Sequence, residues 1–385
     1  MNAEHAMTIE RPSHRIPSLD GIRALAIFSV IYSHITLRIK SFLFFPYDGV
    51  GLFFVLSGFL ITMLLLREKE KTGNISLYRF YVRRFFRIVP PLYAYIVFAV
   101  LCLISMHAHF SWKEFIGPVL FISNLDLLKT HPVIEHAWSL GVEEQFYILW
   151  PILMIGCLKL RGKKAAILAT FAMFILAPIS RLLVHFFVSE GHGSHLIFTL
   201  LFCRMDSLGI GCAIALLIGT PKFEALYTRI EKFWWVAPVV FMLLSPLADK
   251  HLHSLYENSI QGSIDSVCMG FFILWASRNA DSVVGRFLNN PLMVKIGVLS
   301  YSLYLYQTFF LHLHTGVVVL NSFPLNVVLI PLAALASFYL IEQPSLHARD
   351  WFLRVSSLRK KVDLDSSSVA QEAHANPSQV TTPHR

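Results

Sequence analysis

The chain is short of the patterns that mark a metalloprotein, a disulfide scaffold or a nucleic-acid binder. Its 385 residues include five cysteines. Cys102, Cys157, Cys203, Cys212 and Cys268 sit in or at the edges of apolar runs, without CxxC or metal-type spacing, and read as small core hydrophobes. No metal is expected. Charged residues make up 15% of the chain, and its net charge of +9 does not point to nucleic acid because Lys and Arg concentrate in alternate loops. No internal repeat is visible, so the symmetry of an inverted-repeat transporter is missing. No small-x-small cleavage site follows the first apolar run, where Ile35-Thr36-Leu37-Arg38 come after His34. That run therefore reads as a retained helix and not a secretory signal, although Arg11 and Arg15 precede it.

What the chain does have is apolar sequence: 55% of residues are hydrophobic and 14% aromatic. Long apolar runs recur to about residue 340, each near the ~20 residues that cross a ~30 Å hydrocarbon core. Several contain Gly and Pro that helices tolerate in a membrane, so helices fit better than barrel strands. The reading is an all-α, polytopic integral membrane bundle of about ten transmembrane helices. The candidate spans are 19–37, 50–66, 89–106, 145–160, 165–188, 196–218, 234–247, 264–276, 297–320 and 324–341. The seventh and eighth are short. The apolar piece 115–128 is punctuated by Gly117, Pro118 and Asn124, and reads as re-entrant or interfacial.

The loops give an orientation. Arg67, Lys69, Lys71, Arg79, Arg83, Arg84 and Arg87 lie between spans two and three, and Lys159, Arg161, Lys163 and Lys164 between four and five. Lys222, Arg229 and Lys232 follow span six, Arg278, Arg286 and Lys295 span eight, and Arg349, Arg354, Arg359, Lys360 and Lys361 span ten. The positive-inside rule makes these loops cytoplasmic and places both termini inside. Residues 1–15 and the end of 346–385 are polar and aperiodic, as disordered cytoplasmic tails are, which leaves 16–345 as the membrane domain.

Against this background the ionisable residues stand out. Arg23 and His34 lie within the first span, eleven residues apart. That is close to three helical turns, so they share a face and are separated by roughly 16 Å along the axis. Ionisable groups inside a membrane are costly and by default mark a substrate or proton path. The bland alternative is a snorkelling Arg and a His satisfied by a neighbouring helix. Arg84 and Arg87, three apart, share a helical face suited to clamping phosphate, or to contacting lipid headgroups. At the entry to span four, Glu143 and Glu144 are adjacent, and neighbours on a helix point about 100° apart. One can face a polar cavity; alternatively both simply favour a helix start. Arg204 and Asp206 in span six pair with each other or reach different partners, with a structural ion pair the expected role. Ser57-Gly58 gives span two a thin patch for close helix approach. The hydroxyls of Ser300-Tyr301-Ser302-Leu303-Tyr304 line a cavity or bond across helices.

Taken in order, these segments resemble the membrane acyltransferase 3 family over most of the hydrophobic length. The carrying segments are Leu19-Asp20-Gly21-Ile22-Arg23 with His34, and Gly51-Leu52-Phe53-Phe54-Val55-Leu56-Ser57-Gly58-Phe59. Next come Arg84-x-x-Arg87-x-x-Pro90, then Trp138-Ser139-Leu140 with Glu143-Glu144-Gln145-Phe146-Tyr147. Ser300-Tyr301-Ser302-Leu303-Tyr304-Leu305 and Glu342-Gln343-Pro344 complete the set. Each alone is weak; their order and spacing are specific.

The resemblance implies an enzyme of the bacterial inner membrane that takes an acyl group, most often acetyl, from cytoplasmic acyl-CoA to an outward-facing sugar, glycolipid or polysaccharide hydroxyl. It implies CoA phosphates held by Arg23, Arg84 and Arg87, and His34 as general base. Glu143 or Glu144 would orient His34 or bind sugar hydroxyls, with Trp138 and Ser139 on the acceptor side. An acyl-His intermediate is a second mechanism. Some relatives carry an extracytoplasmic esterase-like domain; here a short tail follows Pro344, and none is expected. One departure is Tyr306-Gln307, where the family often has a His. A competing reading is a transporter or flippase for a glycan or lipid precursor, and a third is a non-catalytic membrane scaffold.

Overall fold

The computed structural model describes residues 16–39, 48–188, 190–312 and 324–356, and every regular element among them is helical. We label the principal helices α1 (Leu19–Ile39), α2 (Gly49–Thr72), α3 (Leu77–Ser105), α4 (Trp138–Leu160), α5 (Lys163–Phe187), α6 (Leu201–Leu217), α7 (Pro221–Ile230), α8 (Gly262–Arg278), α9 (Pro291–His312) and α10 (Leu325–Ser337). The expected tail 1–15, most of 346–385 and the end of the expected ninth span lie outside the described residues; residues 346–356 continue helically.

Six helices among the described residues are long and apolar enough to cross a membrane: Gly49–Thr72, Leu77–Ser105, Lys163–Phe187, His195–Leu217, Asn258–Arg278 and Leu325–Ser356. A seventh is added if Pro221–Phe233 and Val236–Ala248, bent by 66°, form one broken span. The sequence led us to expect ten. Part of the difference has a physical cause, because α4 and α9 have spanning length, at 23 and 22 residues, but carry polar side chains in their interiors. These are the Glu143-Glu144-Gln145 run on α4, and the hydroxyls and Gln307 on α9. Several long apolar helices and these polar ones together make this a membrane protein.

The chain divides into two compact units. The first, Met1–Ile75 with Tyr95–Leu335, is built on close helix pairs. α2 packs on α6 where Gly58 and Gly211 face each other's backbone. A Cβ on Gly58 would lie 2.0 Å from the Leu208 carbonyl oxygen, and one on Gly211 2.1 Å from that of Val55. α1 packs on α9 in the same way, with Gly297 against the Asp20 carbonyl. Small residues let helix backbones approach where lipid offers no hydrophobic driving force. α5 and α8 pack against α6 and complete this part of the bundle. The second unit, Ser76–Ala94 with Ala336–Arg385, is tied by the Ser345 hydroxyl donating to the Phe86 carbonyl at 2.5 Å and by the Phe86 and Phe352 rings, 6.0 Å apart.

Two helix starts differ from expectation. α3 begins at Leu77, twelve residues ahead of the apolar run, because Ser76 caps it by accepting from the Arg79 amide. α4 begins at Trp138 and not at 145, because a 3₁₀ turn, Pro132–Ala137, feeds straight into it. Glu143 and Glu144 are therefore inside the helix and not at its entry. The piece 115–128 forms short turns, Ile116–Val119 and Ser123–Leu125, too short to cross. It is pinned to α4, where buried Asn124 and half-buried Gln145 exchange amide hydrogen bonds at 3.0 and 2.7 Å and Gly141 leaves room for the Asn124 side chain.

Candidate active site

The site is best followed from the first three turns of α4, which the turn Pro132–Ala137 aims into the first unit. The Tyr95 hydroxyl donates to the Val133 carbonyl and anchors that turn to α3. Its last residues then present His136, Trp138 and Ser139. The Trp138 ring meets Phe54 of α2 edge-on at 6.1 Å and Phe198 at 4.8 Å. Ser139 is buried, with its hydroxyl 2.6 Å from that of Tyr304 on α9. Both hydroxyls also reach the His136 carbonyl as donors, Tyr304 at 2.8 Å and Ser139 at 3.3 Å. The His136 ring lies edge-on to Tyr304 at 5.1 Å and to Tyr95 at 5.8 Å. Of the α9 hydroxyls, that of Tyr304 thus bonds across helices, one of the two roles read from the sequence.

One turn further along α4, Glu143 is half-buried and reaches α2. The Ser57 hydroxyl donates to Glu143 Oε1 at 2.5 Å, and Tyr147 donates to Ser57 Oγ at 3.0 Å. Residues 86 apart in sequence meet here. Glu144 is also half-buried and, one residue on, points about 100° away. Below them the Trp150 indole donates to Thr62 at 2.9 Å, a second polar link between α4 and α2.

Arg23 pairs with Asp20 at 2.8 Å, one turn back on α1, a partner the sequence reading had not assigned to it. α1 is unbroken from Leu19 to Ile39, so Arg23 and His34 share a face as expected; His34 is half-buried near its end. Arg84 and Arg87 are half-buried in the second unit, with the Arg84 guanidinium 5.8 Å from the Phe80 ring. Gln307, at the family's His position, is fully buried; it donates to Thr308 at 2.8 Å, and its carbonyl oxygen has no protein partner among the described residues.

Arg204 and Asp206 do not pair with each other. Asp206 takes Arg181 of α5 at 2.8 Å, both side chains almost fully buried, while Arg204 reaches Asp48 at 3.4 Å and covers the Phe198 ring at 4.2 Å. Two residues apart on a helix point in nearly opposite directions, which makes separate partners the natural outcome. The sequence reading missed Arg181, although a lone Arg inside the apolar run 165–188 was a visible signal. It also missed the link of Ser57 and Tyr147 to Glu143, for which only motif membership was visible. Among the described residues no group of three or more His, Cys, Asp or Glu is placed to hold a metal ion.

The helix pairs and polar groups follow the order of the motifs read from the sequence, and comparison with known proteins gives the class. The family model described as an acyltransferase domain matches residues 16–342, and the chain belongs to this acyltransferase 3 family. It is similar to the peptidoglycan O-acetyltransferase OatA of Listeria monocytogenes, at 25% identity over 76% of this chain and 49% of that protein. It is also similar to a Bacillus subtilis protein, YrhL, provisionally named a peptidoglycan O-acetyltransferase, at 26% identity over 86% of this chain and 55% of that one. A Staphylococcus aureus protein provisionally named an O-acetyltransferase is 28% identical over 80% of this chain and 52% of its own length. The chain spans about half the length of these curated relatives. No solved structure matches it.

Proposed function

We propose that this membrane protein is an O-acetyltransferase that moves an acetyl group from a thioester donor, acyl-CoA, to the hydroxyl of a cell-envelope sugar in the bacterial inner membrane. The observation that carries the reading is the convergence of the family's separate motifs. Glu143 and Tyr147 on α4 meet Ser57 on α2, Ser139 on α4 meets Tyr304 on α9, and the Trp138 ring meets Phe54 of α2. Among the acceptor classes the resemblance implies, which include peptidoglycan, glycolipid and other polysaccharide, the relatives' names favour peptidoglycan.

In this scheme the acceptor hydroxyl attacks the thioester carbonyl, the new C–O bond forms, and the C–S bond breaks. His34 takes the hydroxyl proton as general base and returns it to the departing thiolate. Glu143 or Glu144 orients the imidazole or the sugar, and Trp138 with Ser139 contacts the acceptor. Arg84 and Arg87, three residues apart on α3, suit the donor's phosphates by their planar and permanently charged forks, with Arg23 as a further cation.

The test is mass spectrometry of the host's envelope glycans with the gene deleted, restored, and restored as His34→Ala. The expected result is loss of one acetyl mass on deletion and its return only with His34 intact. Identical glycan profiles in all three strains would overturn the proposal and favour transport of a glycan or lipid precursor.

A further inference from the structure

Ser57-Gly58 does two jobs on two faces of α2. Gly58 meets the α6 backbone, and Ser57, about 100° around the helix, faces α4. There it stands between Glu143 and Tyr147, which are four residues apart on α4 and so share one face of that helix. The order of the contacts sets their direction. A hydroxyl has one proton to give, and Ser57 directs its own to Glu143 Oε1. The Tyr147 hydroxyl donates to Ser57 at 3.0 Å, and the Ser57 hydroxyl donates to Glu143 at 2.5 Å. Tyr147 is 3% exposed, and its ring packs beside Phe146, so the donor is held by packing before any substrate arrives.

We propose that Ser57 and Tyr147 are positioning residues: a two-hydroxyl relay that holds Glu143 in one orientation as an anion, so that it acts in the reaction as a fixed negative charge and not as a proton donor. This rests on the acyl-transfer reading of the site. A fixed anion suits a site where a base gains positive charge as it takes the acceptor's proton, because a preorganised charge costs no reorganisation at the moment of reaction.

The test uses the full chain with the variants Ser57→Ala, Ser57→Thr, Tyr147→Phe, Glu143→Gln and the double variant Tyr147→Phe with Glu143→Gln. Its first readout is labelling of Glu143 by dicyclohexylcarbodiimide, which attacks protonated carboxyls, measured by peptide mass spectrometry at neutral pH. Loss of a hydrogen bond to a charged group raises the protonated fraction by roughly tenfold. Labelling is therefore expected to rise by about that factor in Ser57→Ala, less in Tyr147→Phe, and to return toward the parent level in Ser57→Thr. The second readout is acetyl transfer. Tyr147→Phe should lower kcat several-fold at unchanged KM for the donor, and cost nothing further in the Glu143→Gln background.

Equal labelling in the parent and Ser57→Ala, or fully independent effects of Tyr147→Phe and Glu143→Gln, would overturn the relay. A merely structural link would weaken folding without moving the labelling. Because labelling needs neither donor nor acceptor, a rise in a chain that acetylates nothing supports the relay and removes the acyl-transfer reading. Acetylation with unresponsive labelling removes the relay alone.

Discussion

Replacing Arg181 by Met should cost several kcal/mol, because it strips a buried carboxylate of its cation. The guanidinium donates to the Ser259 carbonyl at 2.7 Å, the Cys203 carbonyl at 2.7 Å, Asp206 Oδ2 at 2.8 Å and Ser263 Oγ at 2.7 Å. Ser259 lies in the π-helical turn Glu257–Gln261, the kind of ladder irregularity found at sites with a specific job. The Arg181 and Asp206 side chains are 4% and 1% exposed. Met matches the length and packing of Arg but removes every donor. Among the described residues Asp206 then keeps Ser263 at 2.6 Å and the Ser207 amide at 2.9 Å for a buried negative charge. Breaking one side of a buried pair costs about 3–5 kcal/mol, and removing both charges together is far cheaper. At about 2 °C per kcal/mol for a large chain, Arg181→Met should lower the unfolding midpoint by roughly 6–10 °C. Arg181→Met with Asp206→Leu should recover at least half of that. The assay is thermal loss of the monodisperse full-length chain in detergent. A single variant within about 1 kcal/mol of the parent, or a double variant no better than the single, would refute the argument.

Further outcomes follow from other elements. Gly297→Ala should prevent stable folding or shift α9 away from α1, since its Cβ would lie 1.8 Å from the Asp20 carbonyl oxygen; normal expression and a parental melting point would sink this. Replacing both Arg84 and Arg87 by Gln should raise KM for the acyl donor at least tenfold with a smaller change in kcat, and an unchanged KM would remove them from the donor site. His131, outside every candidate span, stacks on Phe115 at 5.7 Å, and burial holds its pKa below the ordinary value, opposed by Glu114 and assisted by Lys129. The unfolded chain therefore binds this proton more readily, so the contribution is complete above about pH 6.5 and is lost as pH falls from there toward the folded value. Stability of the parent should decline over that window more steeply than that of His131→Gln; equal slopes would show the histidine to be irrelevant.

Much of the local structure was legible from apolar run lengths alone. The interiors of α2, α5 and α8 lie where hydropathy put them, because a spanning helix satisfies its own backbone and needs only length and greasiness to be recognised. The starts of α3 and α4 were not legible from hydropathy, since a serine cap and a 3₁₀ turn extend both helices into polar sequence. At the site, Trp138, Ser139 and Glu143 could be singled out from the motif that contains them, but their partners could not. Ser57 read as a spacer because Gly58 beside it is one, and the choice between a mutual pair and separate partners for Arg204 and Asp206 stayed open because sequence proximity names no distant partner.

The sequence by itself determined the membrane class, the helical character and the family, since each depends on composition, run length or short ordered motifs. Only the tertiary structure decided that Ser57 serves Glu143, that Arg181 takes Asp206, and that Tyr304 closes on Ser139. The reason is rotational. Hydropathy locates a helix along the chain but leaves its rotation about its own axis open, and that rotation is set by glycine contacts between helices far apart in sequence.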